Sequence, residues 1–199
     1  MHISEGILSA PVLVVEAGLT AATVSYAIKK MDYKQMSKVA ILSSTFFVAS
    51  FIHIPIGLSS VHLILNGIIG ILLGWSAFPA ILVALTFQAV LFQFGGLTSL
   101  GVNTFNMAFP AIISFYLFHR GIKGKNHLKA LIFAFACGFL AVMFSAILTA
   151  MALSFTGEAF IKIAKLILVT HLPVMFAEGV LTSFCIGFLR KVRPEIFEI

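Results

Sequence analysis

From Val39 to His119 the chain carries no Asp, Glu, Lys or Arg, a run of 81 consecutive uncharged residues. A helix that crosses a bilayer needs about 20 apolar residues (range about 17–25), so this run has room for about four crossings. Three breaks divide it accordingly: the Pro/Gly/Ser segment His53–Ser60 (HIPIGLSS), then Gly74–Pro79, then Gly95–Asn103. Further apolar runs at Pro11–Ile28, Leu128–Phe155 and His171–Leu189 add one crossing each, giving seven. Composition agrees, with 60% hydrophobic and 10% charged residues, where an ordinary soluble domain has about 25% charged. The expectation is an all-α integral membrane protein of about seven transmembrane helices, forming a single membrane-embedded domain over residues 1–199.

Thirteen Lys and Arg against seven Asp and Glu give a net charge of +6, which in a soluble chain would suggest a nucleic-acid partner. Their placement gives another meaning. With seven crossings, alternate loops group Lys29, Lys30, Lys34 and Lys38 with Arg120, Lys123, Lys125 and Lys129 and with Arg190, Lys191 and Arg193, leaving only Lys162 and Lys165 on the other side. By the positive-inside rule the larger group is cytoplasmic, so the N-terminus lies outside and the C-terminus inside a multi-pass protein of the cell (cytoplasmic) membrane. The positive charge therefore orients the chain among lipids, and no nucleic-acid partner is implied. Cys137 and Cys185 both lie in apolar stretches, where thiols act as small hydrophobes.

The N-terminus has its own chemistry. Met1-His2-Ile3-Ser4-Glu5-Gly6 lacks the basic start of a secretory signal, and the bulky His2 is expected to protect Met1 from removal. The Met1 amine, the backbone nitrogen of His2 and its Nδ1 can then chelate one metal ion in two fused rings. A fourth nitrogen would complete a plane, a geometry suited to Ni(II), Cu(II) or Co(II) rather than Mg or Ca. The alternative is that His2 merely follows the start.

Six histidines are present, and the expected topology puts His2, His53, His62 and His171 toward the outer half. His119 and His127 flank the basic inside loop, where a solvated or headgroup role suffices. A neutral imidazole is the commonest metal ligand, and polar groups at membrane depth face an interior. His62 has Asn66 four residues on, one helical turn, where an amide can orient the ring. His53 precedes Ile54-Pro55 and is either a ligand or a loop residue.

The opening Met1–Gly6, the segment Ser60–Gly67 and the run Gln88–Met107 (QAVLFQFGGLTSLGVNTFNM) together resemble the CbiM/NikM family over most of the chain. These are the cobalt- and nickel-specific substrate-binding (S) components of energy-coupling factor transporters. The resemblance implies a seven-helix protein whose N-terminus tucks into the bundle from outside. It also implies a metal held by the Met1 amine, the His2 amide and imidazole, and a second histidine, carried here onto His62. Glu5, His53, Asn66, Asn103 and Thr104 are the implied surrounding residues. The partners implied are a transmembrane coupling (T) subunit, a pair of cytoplasmic ATPases and, in some relatives, a small accessory membrane subunit.

No GxxxxGK[ST] loop occurs, so the chain does not itself couple transport to ATP hydrolysis. The expected function is uptake of Co²⁺ or Ni²⁺ as transported ligand, with no prosthetic group and no enzyme activity. Cobalt and nickel are not separable from sequence, since both accept four nitrogens. The polar cluster Gln88, Gln93, Asn103 and Asn106 around Gly95-Gly96 either folds over the metal site or bonds helices together. Glu16 and Glu178 are the formal charges deep in spans, and Glu178 could pair with His171 two turns away. Two rivals are a membrane-embedded hydrolase using Ser76 and a passive metal channel. The first would need Ser76 to meet a histidine from the opposite side, and the second would not need the Met1 amine.

Overall fold

The computed structural model describes residues 2–56 and 59–197. Eight α-helices account for most of it: α1 Ala10–Lys30, α2 Met36–Ala49, α3 Asn66–Leu73, α4 Ala77–Phe92, α5 Leu100–Ile122, α6 His127–Thr156, α7 Ile161–Thr170 and α8 Leu172–Val192. The all-α expectation holds, with one short hairpin as the exception. The break at His53–Ser60 is an antiparallel hairpin of β1 His53–Ile56 and β2 Ser59–His62, with His53 opposite His62 and Ile56 opposite Ser59. Pro55 and the β-branched Ile54, Ile56 and Val61 favour extended backbone, and in a two-stranded ribbon a proline costs no central ladder bond.

The other two expected breaks also interrupt helices. At Gly74, with φ +53°, α3 ends and a 3₁₀ turn Gly74–Ser76 leads into α4. If α3 and α4 continued end to end, Asn66 and Gln88 would be about 33 Å apart at 1.5 Å per residue. Instead the His2 ring touches both Gln88 and His62, so the chain reverses at Gly74. α2 and α4 run in the same direction, since Ser43 Oγ donates to the Ala80 carbonyl (2.7 Å) and Gln88 Nε2 donates to Ser50 Oγ (2.9 Å). The third break, residues 93–99, joins α4 to α5 through Gly95 and Gly96, both at positive φ. A bend at His171 separates α7 from α8, where Pro173 has no N–H to return to the preceding turn.

Among the described residues, five stretches are long and apolar enough to cross a membrane: residues 10–30, 66–92, 100–122, 127–156 and 158–192. The second of these is the α3–α4 reversal, and the 14-residue α2 falls outside the set because of its length. α3 is buried along nearly its whole length between α5 and α6. It is admitted by small residues: a side chain at Gly70 would strike the Ala111 carbonyl, and one at Gly67 would strike Gly138. Large apolar side chains such as Val14, Phe87, Val90, Phe155 and Phe184 stand exposed on the outer surfaces, as a lipid-facing bundle requires.

The helix ends sort into two groups. At one end Tyr26 of α1 packs edge-on against Trp75 (4.7 Å), Trp75 Nε1 donates to Tyr116 Oη of α5 (2.9 Å), and Lys30 Nζ lies over the Tyr26 ring. Arg190 at the end of α8 donates to the carbonyls of Ile122 and Gly124. The basic residues from Lys29 to Lys38, the Arg120–Lys129 group and Arg190 to Arg193 thus share this end. Trp and Tyr among them match the interfacial belt of membrane proteins. The opposite end gathers His2, the close of α4, the start of α5, the end of α6, and α7.

Candidate metal site

The chain before α1 is drawn into that second end by an amide clamp. Ile3 N donates to Asn103 Oδ1 (2.9 Å), and Asn103 Nδ2 donates to the Ile3 carbonyl (3.1 Å), which also accepts from Ser99 Oγ (2.7 Å). Ile3 and Leu8 are buried against Val102 of α5, Ala150 and Leu153 of α6 and Ala164 of α7. Glu5 Oε1 accepts from Thr98 N (3.0 Å). Gly96 lies under the Glu5 side chain and at φ +117°, so no other residue fits there without displacing it. His2 is held inside the bundle by its neighbour's backbone bonds.

There it meets His62, which ends β2. The rings stack at 4.7 Å between centroids, with His62 Nε2 3.1 Å from His2 Nδ1. Each ring is also held through its outer nitrogen. His62 Nδ1 is 2.9 Å from the Leu63 carbonyl, and a carbonyl only accepts, so Nδ1 donates to it. On the other side a relay runs inward. Ser50 Oγ donates its one hydrogen to the Phe47 carbonyl (2.6 Å), so it must accept from Gln88 Nε2 (2.9 Å). That turns Gln88 Oε1 toward His2 Nε2 (2.8 Å), which donates to it. Two imidazole nitrogens, His2 Nδ1 and His62 Nε2, thus lie 3.1 Å apart, close enough to ligate one cation together.

The pair opens onto a cavity of about 380 Å³. Its described lining includes Ser4, Gln93, Phe94, Thr149, Ile163 and His171, and contains no Asp, Glu, Lys or Arg. Among the described residues no three His, Cys, Asp or Glu side chains cluster as a metal site. A metal held by side chains alone thus has two imidazoles here, and any further ligands must be backbone or terminal groups.

The expected residues are distributed as follows. His2 and His62 are brought together, Asn103 fixes the backbone of Ile3, and Glu5 secures the loop over it. Met1 and the side chain of His53 lie outside the described residues. Asn66 does not orient His62: its Nδ2 donates to Ser145 Oγ (2.8 Å) and to the Met107 and Ala141 carbonyls, bonding α3 to α5 and α6. The one-turn argument fails because His62 stands in a strand, so four residues of chain are not one helical turn. Thr104 is buried with no partner for its hydroxyl among the described residues.

Nor does Glu178 pair with His171. Its Oε1 accepts from the backbone N–H groups of Ile64 and Leu65, the latter at 2.9 Å, in the loop that follows His62. Leu65 sits at φ +55°, and this buried carboxylate holds the loop in that conformation. Glu178 and Gln88 are thus positioning residues that sequence reasoning did not assign. Gln88 stood out as a polar residue in an apolar helix, but its partner Ser50 lies 38 residues away and only the parallel α2–α4 pairing brings them together.

Residues 2–196 match the family described as the cobalt uptake substrate-specific transmembrane region, CbiM. The chain is 37% identical over 198 residues to a protein of Haemophilus influenzae named "Putative metal transport protein", covering 98% of this chain and 96% of that one. It is 31% identical to the cobalt transport protein CbiM of Kyrpidia tusciae, covering 98% and 85%. Among solved structures it resembles a truncated transition metal transporter with a TM-score of 0.78 and 26% identity, covering 96% of this chain and 99% of that one.

Proposed function

Since the chain belongs to the CbiM family of cobalt uptake transmembrane regions, we propose that it captures Co²⁺ or Ni²⁺ from outside the cell with high affinity, as the substrate-binding component of an energy-coupling factor transporter. The observation that carries this reading is the approach of two imidazole nitrogens, His2 Nδ1 and His62 Nε2, to 3.1 Å beside a cavity whose described lining is uncharged. With metal–nitrogen bonds of about 2.0–2.1 Å, that spacing subtends about 100° at the ion, close to the right angle between neighbouring corners of a square plane. The Met1 amine and His2 backbone nitrogen take the remaining two corners, since both chelate rings run through His2.

Four nitrogens and no carboxylate in the described lining favour a late transition metal over Mg²⁺ or Ca²⁺. The chain acts as one membrane-embedded unit of seven passes. α1, α2, α3, α4, α5, α6 and the α7–α8 pair alternate in direction, with the N-terminus and metal site outside and the basic end in the cytoplasm. Coupling to ATP belongs to separate partners, a transmembrane subunit and paired ATPases that engage this bundle and drive release inward. Titration calorimetry of Co²⁺ and of Ni²⁺ into the purified chain tests the reading: tight one-to-one binding of either ion supports it, and binding of neither contradicts it.

A further inference from the structure

His171 stands at the bend between α7 and α8 and is 5% exposed. Its Nδ1 donates to the Ile167 carbonyl at 2.8 Å, so the neutral ring keeps a bare Nε2. That nitrogen has no hydrogen-bond partner among the described residues, and the ring lines the same cavity as His2 and His62. The cavity lining on α6 and α7 is Thr149, Leu153, Ile163 and Ile167, mostly apolar, against which an apolar residue at 171 would pack without leaving an acceptor unpaired.

The cavity is large enough for a hydrated ion, because six waters at about 30 Å³ each occupy about 180 Å³, under half of the 380 Å³ present. An arriving aqua ion that loses one water gains an imidazole nitrogen, an exchange that Co²⁺ and Ni²⁺ favour. We infer that His171 is a third nitrogen donor of this cavity, taking a Co²⁺ or Ni²⁺ ion through Nε2 while it keeps most of its water, before transfer to His2 and His62. This rests on the metal-capture reading above. A ligand on the path speeds both arrival and departure, so it sets rates more than equilibrium affinity.

The test is stopped-flow mixing of CoCl₂ or NiCl₂ with the full chain in nanodiscs, comparing wild type, His171→Ala and His171→Asn. The Asn amide can still donate to the Ile167 carbonyl but offers no imidazole nitrogen. Both variants are expected to slow association and dissociation about tenfold or more, with Kd changed less than about threefold. Wild-type rates in both variants would overturn the inference, as would a slowing in Ala that Asn restores, which would assign His171 only to its helix bond. A wild-type chain that takes up neither ion overturns the capture reading itself, and the inference with it.

Discussion

The two ends of the bundle use polar groups in opposite ways. At the basic end the contacts are exposed and redundant: Lys30 over Tyr26, Trp75 to Tyr116, and Arg190 to two carbonyls at once. At the site end they run in single file, from the Phe47 carbonyl through Ser50 and Gln88 to His2, then to His62 and the Leu63 carbonyl. Charge gathers at one end, while at the other the described cavity lining is uncharged and two imidazole nitrogens approach to 3.1 Å. A change at the site end should therefore propagate to metal binding, and a change at the basic end should not.

The largest effect expected is from His2→Ala or His62→Ala, each lowering Co²⁺ or Ni²⁺ affinity by at least about 100-fold in calorimetry. Affinity retained in either variant would break the comparison at its root. Acidification comes next. A proton competes for the same lone pairs, so affinity should fall about tenfold per pH unit for each proton displaced, and a Kd unchanged between pH 7.5 and 5.5 would contradict nitrogen ligation. Gln88→Leu removes the acceptor that selects the His2 tautomer, for an expected loss of about 10–100-fold. Ser50→Ala should cost less, because Gln88 Oε1 can still accept from His2 Nε2 without the Ser50 bond. Asn103→Leu removes two buried bonds to Ile3, each worth about 0.5–1.5 kcal/mol, and is expected to weaken binding about tenfold by loosening the segment that carries His2. Trp75→Phe at the basic end should leave metal affinity within about twofold while lowering stability by about 0.5–1.5 kcal/mol in a thermal melt.

What the sequence disclosed follows the same division. The three breaks in the uncharged run were legible because Pro and Gly mark backbone directly, and the grouping of Lys and Arg at one end was legible because alternation along a crossing chain needs no three-dimensional detail. The pairing of His2 with His62 came from the family resemblance and the chelate chemistry of the N-terminus, not from spacing. Contacts that depend on register were hidden. The Gln88–Ser50 bond requires α2 and α4 to run parallel, and Glu178 reaches the loop after His62 from more than a hundred residues away. Where a local rule was applied to Asn66 it misled, because it presumed a helix where β2 lies.

The central claim is that the amino terminus itself is part of the metal site. It is tested most directly by adding one residue ahead of Met1 and titrating Co²⁺ and Ni²⁺ into the folded chain beside the native form. The extension moves the free amine away from the chelate while leaving His2, His62, Gln88 and Asn103 in the sequence. Binding is expected to be lost or weakened by at least about 100-fold, with an unchanged melting temperature in the absence of metal. Native affinity in the extended chain would show that the amine is not a ligand and would contradict the four-nitrogen site.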